Sequence, residues 1–405
     1  MPLSALLLAA AIPAAIPAAI PASGPTPVPA TVAVQFDRRQ ASVVLAEGAA
    51  DRATGRPANA QSPVRIASIS KLVVALGVMR LVDYGTLDLD RDVSDYLGWP
   101  LRNPAFPDVP ITLRLLLSHR SSLTDDAGYV IPLGESLRAR LADPRAWDKV
   151  HGPGSDWFHY TNLNFPVVAS VMEKATGERF DHLMHRLVLA PLGLSACYNW
   201  SPCSAQEAGQ AVVLYRANGD VAKDDLHGAL PACPVEVTPG HNCDLSAYRP
   251  GENGALFSPQ GGLRINMMDL ARIGQMMARG GKGFISAPAF AEMIRPQWRF
   301  DGTNGLGENG EGDGFFCAYG LAVQTLAEGG KGCRDDLFGD GVKRIGHAGD
   351  AYGLKSGLWI DPVRGRGMAF FTTAVADDAP KGRSAFTARE EEVVARASAS
   401  RPALP

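Results

Sequence analysis

Apolar residues occupy every second position at Val32, Val34 and Phe36, and a second apolar run follows at residues 43–45. Side chains on a strand point alternately to its two faces, so this spacing predicts two strands of a hairpin. From Leu72 onward the apolar residues recur every three or four positions, which predicts a buried helix. This helix is expected to end at Gly85, because glycine readily adopts the left-handed conformation that closes helices.

Similar patterns predict the remaining elements. Strands are expected at 357–361 and 368–375, joined by a hairpin turn at 362–365. Helices are expected over 112–118, 163–176, 179–190, 266–280, where Asn266 and Asp269 form the cap, and from the capping box at Thr387 and Glu390.

Strands at both chain ends around a mostly helical middle predict an α/β (α+β) fold, in which one antiparallel sheet is built from both ends of the chain and flanked by helices. We expect one domain over residues 31–398. Its sheet lobe would comprise about 31–75 and 260–398, and an inserted helical lobe would comprise about 76–259. A cleft between the two lobes is the expected location of a functional site.

The first 23 residues carry no charge and end in the small residues Ala22 and Ser23, which is typical of an export signal. Prolines at 13, 17 and 21 would interrupt a membrane-spanning helix, so we expect a cleaved signal peptide rather than a stable membrane anchor. Residues 24–30 are rich in proline and are expected to form an extended linker. The protein is therefore predicted to be periplasmic or secreted.

Six cysteines are consistent with that location, because disulfides form in oxidising compartments. Six cysteines allow fifteen pairings, and the sequence does not choose among them. We expect cysteines that are neighbours in the sequence to pair: Cys197 with Cys203, Cys233 with Cys243, and Cys317 with Cys333. The alternative is that the thiols are free and buried.

Composition narrows the possible partners. The 405 residues are 46% apolar and 20% charged, and 39 Lys and Arg nearly balance 42 Asp and Glu. This near-neutral balance lacks the excess of basic residues typical of nucleic-acid binding, so we expect no nucleic-acid partner. The cysteines and histidines lack zinc-finger spacing, and the Gly-rich segment 301–314 lacks the Lys and Ser/Thr of a phosphate loop, so neither a metal nor a cofactor is expected.

The run Arg65-Ile-Ala-Ser68-Ile-Ser-Lys71 carries the candidate chemistry. A serine hydroxyl is a poor nucleophile unless a base lies within hydrogen-bond distance. Residues three apart share one face of a helix, so Lys71 would lie beside Ser68 at the start of the predicted helix. If burial and nearby positive charge keep the amine unprotonated, the two residues can act as nucleophile and base.

Two further short motifs follow in order: Tyr160-Thr-Asn162 and His347-Ala-Gly349. With the Ser68-Ile-Ser-Lys71 motif, they resemble the S-x-x-K, Y-x-N and K-T-G or H-x-G pattern of the class C β-lactamase, penicillin-binding protein and carboxylesterase family of serine hydrolases. The resemblance covers most of residues 30–395. It extends to segments 115–123 and 257–263, although Arg120 and Ser121 depart from the family's L-L-x-H-T-S-G-L pattern.

This resemblance implies specific roles. Ser68 would form an acyl-enzyme, Lys71 and Tyr160 would move its proton to the leaving group, and Asn162 would orient Lys71 and bind the substrate. His347 would take the position of the lysine in K-T-G. Gly349 would let the substrate backbone lie along the strand, and the N–H groups of Ser68 and Asp350 would form the oxyanion hole.

A competing third motif is Lys355-Ser356-Gly357, which spells K-S-G but lies eight residues further on, where the family has strand interior. We favour His347. A mostly neutral histidine binds a β-lactam carboxylate less strongly than a lysine does. By the same resemblance, members with H-x-G include esterases, DD-peptidases and D-amino-acid peptidases, so the predicted function is a serine esterase or D-amino-acid peptidase or amidase that acts on a small ester or peptide. A β-lactamase, or a non-catalytic penicillin-binding sensor, is the alternative.

Overall fold

The computed structural model describes residues 28–307 and 312–400. The predicted signal peptide and residues 24–27 of the predicted linker lie outside this part of the chain. We number strands β1–β17 and helices α1–α10 in chain order.

The strands are β1 Thr31–Asp37, β2 Ala41–Glu47, β3 Ala49–Asp51, β4 Arg56–Pro57, β5 Val64–Arg65, β6 Phe158–His159, β7 Ala196–Tyr198, β8 Leu214–Tyr215, β9 Val221–Lys223, β10 Leu263–Ile265, β11 Trp298–Arg299, β12 Gly305–Leu306, β13 Ala318–Tyr319, β14 Gln324–Leu326, β15 Arg344–Ala351, β16 Leu354–Asp361 and β17 Arg366–Thr372. The helices are α1 Ile69–Asp83, α2 Val93–Leu97, α3 Leu113–Leu117, α4 Leu137–Leu141, α5 Asn164–Thr176, α6 Phe180–Met184, α7 Ala205–Gly209, α8 Met267–Ala278, α9 Ala287–Ile294 and α10 Ala388–Ala399.

The main sheet has eight antiparallel strands in the order β11-β13-β14-β15-β16-β17-β1-β2. Strand β1 lies beside β17, with Thr31 opposite Thr372, so strands from the first and the last part of the chain pair within one sheet. The chain between residues 47 and 298 contributes no strand to this sheet. The predicted fold class, a sheet assembled from both chain ends around a mostly helical middle, is confirmed.

Helices cover both faces of the sheet. On one face α8 packs against β1, β16 and β17, and the approach is close enough that a Cβ at Gly274 would lie 2.2 Å from the ring of Phe36. On the other face α10 packs against β1 and β2, and its Val393 shares an apolar cluster with Trp359 and Phe370. These apolar contacts, rather than helix propensity alone, stabilise the helices on the sheet.

Most predicted boundaries agree with the structure. Helix α1 ends before Gly85, which has a φ of 69°, and Asn266 caps α8 by accepting a hydrogen bond from the Asp269 N–H. Residues 179–190 are helical but not uniform, because α6 ends at Met184 and a π-helical turn follows at His185–Leu189. The last predicted strand, 368–375, ends earlier than expected, at Thr372.

All three expected disulfides are present, between Cys197 and Cys203, Cys233 and Cys243, and Cys317 and Cys333. Each joins cysteines that are neighbours in the sequence, so each fastens a local loop rather than two distant elements. Within residues 28–307 and 312–400, no helix has the length and apolar character needed to cross a membrane.

Candidate active site

The start of α1 brings the predicted nucleophile and base together. Ser68 is the N-cap residue of α1, and its side chain makes no capping hydrogen bond to the helix. Lys71 lies one helical turn further on and is fully buried, with its Nζ 2.9 Å from Ser68 Oγ. The preceding residue, Ala67, has a φ of 48°, which L-residues rarely adopt, and this sharp turn feeds the chain into the helix at Ser68.

Two other atoms hold the Lys71 amine. Its Nζ donates to Asn162 Oδ1 at 2.8 Å and to the Gln260 backbone carbonyl at 2.9 Å. Both oxygens are acceptors only, so they use two N–H bonds of the amine. The Ser68 hydroxyl is a further neighbour of the amine, at a distance from which a neutral amine can accept its proton. This arrangement suits an amine that takes a proton from Ser68.

Asn162 is itself held in place by the carboxylate of Asp125. Asp125 accepts hydrogen bonds from the Asn162 N–H and side-chain amide, each at 2.9 Å, and from the Leu163 N–H at 2.8 Å. The side-chain amide must therefore point its oxygen away from Asp125, toward Lys71. Asp125 thus sets the orientation of the Asn162 side chain. Among the described residues, Asp125 itself makes no hydrogen bond to Ser68 or Lys71.

Replacing Asp125 with alanine is expected to reduce kcat/KM by roughly 10²-fold, because small displacements of a positioned group are costly in catalysis. Steady-state kinetics with a chromogenic ester would measure the loss. The adjacent exposed residue offers a matched control, and Asp126→Ala should keep normal turnover. Equal losses in the two variants would contradict the role assigned to Asp125.

The ring of Tyr160 lies between two other rings. His119 stacks on it with a centroid distance of 4.4 Å, and Phe316 stacks with a centroid distance of 4.8 Å. Lys71 Nζ lies 4.9 Å from the Tyr160 ring centroid. His119 accepts a hydrogen bond from the Thr161 N–H at Nδ1, and burial, followed by the nearby Lys71 amine, lowers its pKa well below the ordinary range. A neutral histidine thus fixes the phenol beside Lys71.

His347 lies in β15, and its imidazole is also buried and neutral. Burial, and then the Lys71 amine, lowers its pKa to about 3. Nδ1 lies 2.5 Å from the Ala348 carbonyl oxygen, so Nδ1 carries the proton and Nε2 accepts from the Tyr319 hydroxyl at 2.8 Å. At neutral pH this residue therefore presents no positive charge to a ligand.

The low pKa of His347 gives a stability prediction. In the unfolded chain this imidazole takes up a proton near its ordinary pKa of 6.5, whereas in the folded protein it does so only near 3. The unfolded state therefore binds the proton more readily, and acidification between these values lowers stability by roughly 1.4 kcal/mol per pH unit. Between about pH 6 and pH 4.5, the free energy of unfolding should fall more steeply for the wild type than for His347→Asn.

Denaturant titrations across that range would measure both slopes. The difference between the slopes of the two proteins cancels the contributions of all groups that titrate in both of them. The exposed His185 provides the control, and His185→Asn should keep the wild-type slope. Identical slopes for the wild type and His347→Asn would contradict the assignment of a buried neutral imidazole.

Gly349 is required by close packing within the protein. A Cβ at this position would lie 2.3 Å from the Ile66 carbonyl oxygen and 2.3 Å from Ser356 Oγ. The chain that leads into Ser68 therefore leaves no room for a side chain at this position, and Gly349 also lines the smaller of the cavities beside Ser68. Ser356 Oγ donates to the same Ile66 carbonyl at 3.1 Å, so β15 and β16 together support the segment before the nucleophile.

The turn between β15 and β16 orients the backbone of Asp350. Tyr352 and Gly353 have φ values of 57° and 74°, which is typical of a two-residue type I′ hairpin. The flanking pair, Ala351 and Leu354, is then hydrogen-bonded, and the pattern alternates along the ladder. The N–H of Asp350 therefore points away from β16. The competing motif lies on β16, where Lys355 pairs with the Asp350 carboxylate.

Ser68 lies where two cavities meet. The smaller, of about 90 Å³, is lined by Tyr160, His347 and Phe316, among others. The larger, of about 380 Å³, is lined by Arg65 and Asn162, among others. Ser68 itself lines both cavities. In the residues that the structure describes, no group of three or more His, Cys, Asp or Glu side chains could hold a metal ion.

A sequence profile described as Beta-lactamase matches residues 29–390. The chain belongs to the beta-lactamase family. Among solved structures of this fold, D-amino acid amidase from Ochrobactrum anthropi SV3 superposes with a TM-score of 0.65 at 18% identity, covering 92% of each chain. The octameric penicillin-binding protein homologue from Pyrococcus abyssi superposes with a TM-score of 0.60 at 21% identity, covering 85% of this chain and 70% of the other.

Curated members of the family are similar over shorter stretches. Esterase EstB of Burkholderia gladioli is 32% identical over 245 residues, which are 54% of this chain and 60% of that protein. The D-alanyl-D-alanine-carboxypeptidase/endopeptidase AmpH of Escherichia coli K12 is 31% identical over 162 residues, which are 36% of this chain and 41% of that protein. The matched regions thus span less than two thirds of these relatives.

Within this beta-lactamase fold, the structure brings Ser68, Lys71 and Asn162 into direct contact, with Tyr160 beside them. Sequence reasoning missed several neighbours of these residues. Gln260 lies in a segment that the resemblance had singled out, and Asp125 follows another such segment, so both had a signal in the sequence. Phe316 and Tyr319 had no such signal, because they reach the site only through sheet pairing and packing. The residues missed are therefore Asp125, Gln260, Phe316 and Tyr319.

Proposed function

We propose that this protein is an exported serine hydrolase that acts through an acyl-enzyme on Ser68, as an esterase or as a peptidase or amidase of D-amino acids. The observation that carries the proposal is the contact between Lys71 Nζ and Ser68 Oγ, in an amine that also donates to Asn162 Oδ1 and to the Gln260 carbonyl. A serine hydroxyl in this environment has a base within hydrogen-bond distance. Membership of the beta-lactamase family supports the same chemistry.

In the proposed first step, Lys71 takes the Ser68 proton as Oγ attacks the substrate carbonyl carbon. The carbonyl oxygen becomes an oxyanion, and the N–H groups of Ser68 and Asp350 stabilise it. Support comes from the start of α1, where the Ser68 N–H has no acceptor among the described residues, and from the turn geometry that directs the Asp350 N–H away from β16.

In the second half of the step, the tetrahedral intermediate collapses and the bond to the leaving group breaks. Tyr160 gives its hydroxyl proton to that group and then takes the proton that Lys71 removed from Ser68. The positive charge of the protonated Lys71 beside the phenol favours the transient phenolate. Water then attacks the carbonyl carbon of the acyl-enzyme. The proton of the water returns to Ser68 Oγ through Tyr160 and Lys71, and the acid is released. His347-Ala-Gly349 serves as the third motif in place of Lys355-Ser-Gly357. In this motif His347 is a neutral polar residue of β15, held in place by the hydroxyl of Tyr319.

The neutral His347 favours esters and D-aminoacyl substrates over β-lactams, because it offers the β-lactam carboxylate no positive charge, whereas a lysine would. The names of the relatives, an esterase and a D-alanyl-D-alanine carboxypeptidase, agree with this substrate range. Arg120, which departs from the family pattern, fastens a loop by donating to the Gly154 and Ser155 carbonyls, so this departure has a structural explanation and does not argue for a non-catalytic sensor.

Export to the periplasm or the medium fits the charge-free N-terminal segment and the three disulfides. N-terminal sequencing of the protein recovered from the periplasm or medium would test this part of the proposal. A mature chain that begins after residue 23 is the expected result. Recovery of the full-length chain from the cytosol only would contradict it.

The acyl-enzyme can be detected directly. After rapid mixing with p-nitrophenyl acetate and an acid quench, intact-protein mass spectrometry should show one acetyl group per chain, located on Ser68 by peptide mapping. A burst of nitrophenol equal to the enzyme concentration should precede steady turnover. Absence of both the adduct and the burst would contradict the proposal. A long-lived adduct with labelled penicillin, without ester turnover, would instead favour the penicillin-binding sensor.

A further inference from the structure

The larger cavity beside Ser68 contains a buried arginine that lacks a carboxylate partner. Arg65 ends β5, three residues before the nucleophile, and its residue is only 8% exposed. Within the described residues, the one hydrogen bond of its guanidinium is to Ser258 Oγ at 3.2 Å, and its buried Nε has no partner. The guanidinium also lies over the Tyr352 ring, 5.2 Å from the centroid.

The carboxylate whose charge acts on Arg65 is already paired with another arginine. Asp224 forms a buried ion pair with Arg264, whose two nitrogens donate to its oxygens at 2.8 and 3.2 Å, and Asp224 also accepts from Trp200 Nε1 at 3.1 Å. Arg65 therefore makes no ion pair with Asp224 and is affected only by its electrostatic attraction at longer range. Burial, and then the positive charge of Arg264, lowers the pKa of Arg65 to about 10, so it remains cationic at neutral pH.

The other charged groups that line the cavity already have partners of opposite charge. Lys223 lies 3.7 Å from Glu236, and the Asp350 carboxylate pairs with Lys355. Arg216 lies 3.7 Å from Asp377 at the exposed edge. Among the described residues lining this cavity, Arg65 is the cation without an ion pair. A buried guanidinium with one neutral acceptor is costly, and a carboxylate would supply the missing bidentate partner.

The position of Tyr160 indicates which part of a substrate reaches Arg65. In the proposed mechanism, Tyr160 gives its proton to the leaving group, and Tyr160 lines only the smaller cavity. The leaving group therefore occupies the smaller cavity. The larger cavity, on the other side of Ser68, is left for the acyl part, and its volume of about 380 Å³ can hold a short chain with a polar end.

We propose that Arg65 binds a carboxylate on the acyl part of the substrate, so that the preferred substrates are esters or amides in which one end of a short dicarboxylic acyl chain is free. This inference rests on the proposed acylation of Ser68. Arg65 would act by ion pairing with the acyl group while Ser68 Oγ attacks the other carbonyl, and it would take no part in proton transfer. A planar guanidinium suits this task better than a lysine, because it donates two parallel hydrogen bonds.

A matched pair of substrates tests the proposal. Mono-p-nitrophenyl glutarate carries the free carboxylate, and its methyl ester carries the same chain without the charge. The wild type is expected to prefer the acid by about 10- to 100-fold in kcat/KM, the range of a charged hydrogen bond. Arg65→Gln should remove this preference, and Arg65→Lys should restore only part of it. The preference should survive in Arg216→Gln, which changes another arginine lining the same cavity.

The ratio of the two rates is insensitive to a general loss of active protein. A wild type with no preference for the acid, or an Arg65→Gln variant with the full preference, would overturn the proposal. A second measurement needs no chemistry: monomethyl glutarate should bind Ser68→Ala protein in calorimetry and should bind Ser68→Ala/Arg65→Gln at least about 10-fold more weakly. Equal binding to the two proteins would also overturn it. Failure of every ester to turn over, with binding that depends on Arg65, would contradict the proposed hydrolase and leave the carboxylate site standing.

Discussion

Replacing Ser68 with alanine is expected to reduce ester turnover by at least about 10⁴-fold, because removal of the nucleophile from a serine hydrolase leaves only the contribution of binding and the oxyanion donors. The other site residues stay in place, since the Ser68 side chain makes no helix cap whose loss would unfold α1. Purified Ser68→Ala protein should therefore keep its folded stability and lose both the nitrophenol burst and the covalent adduct. Stopped-flow absorbance and intact-mass spectrometry would measure these losses.

The same motif contains a matched control. Ser70 is also a serine of α1, but its Oγ accepts a hydrogen bond from the Leu263 N–H at 3.1 Å. Ser70→Ala should cost about 1–3 kcal/mol of stability by leaving a buried donor without a partner, and it should keep the acylation of Ser68. An adduct that persists in Ser68→Ala and disappears in Ser70→Ala would show that Ser70, and not Ser68, is the nucleophile.

The second large effect is expected at Lys71. Lys71→Arg should reduce kcat/KM by about 10³-fold, because a guanidinium stays protonated and cannot take the Ser68 proton. Lys71→Met should show a similar loss of activity. It should also lower stability, since Asn162 Oδ1 and the Gln260 carbonyl would lose their buried donor. The burst phase would show whether acylation itself has slowed.

Small primary amines offer a further measurement. Ammonia or methylamine should partly rescue a Lys71→Ala variant, because they can enter the space left by the side chain and act as the base. The exposed Lys174 at the end of α5 is the control, and Lys174→Arg should behave as the wild type does. Full activity in Lys71→Arg would show that another group removes the Ser68 proton.

These experiments all concern contacts that the sequence could predict only in part. The pair Ser68 and Lys71 was predictable because helical geometry alone places residues three apart on one face. The capping box at Thr387 and Glu390 and the hairpin at 31–47 were also predictable, because each joins residues close in the sequence. In each case few conformations satisfy the local chemistry.

Contacts between distant segments were of a different kind. The motif order indicated that Asn162 belongs near Lys71, but the orienting role of Asp125 depends on three hydrogen bonds across a loop. Gly349 was expected from its motif, and the structure shows that the Ile66 carbonyl leaves no room for a side chain there. A sequence pattern indicates that a small residue is required, but only packing shows which neighbour requires it.

The sequence alone determined the fold class, the local elements and the residue types of the candidate site, because periodicity, caps and short motifs act over a few residues at a time. Only the tertiary structure decided the electrostatic state of the buried groups. His347 is neutral and Arg65 lacks a carboxylate partner because of what lies around them after segments hundreds of residues apart have packed together. Burial and charge pairing are properties of that packing, and no pattern within one segment determines them.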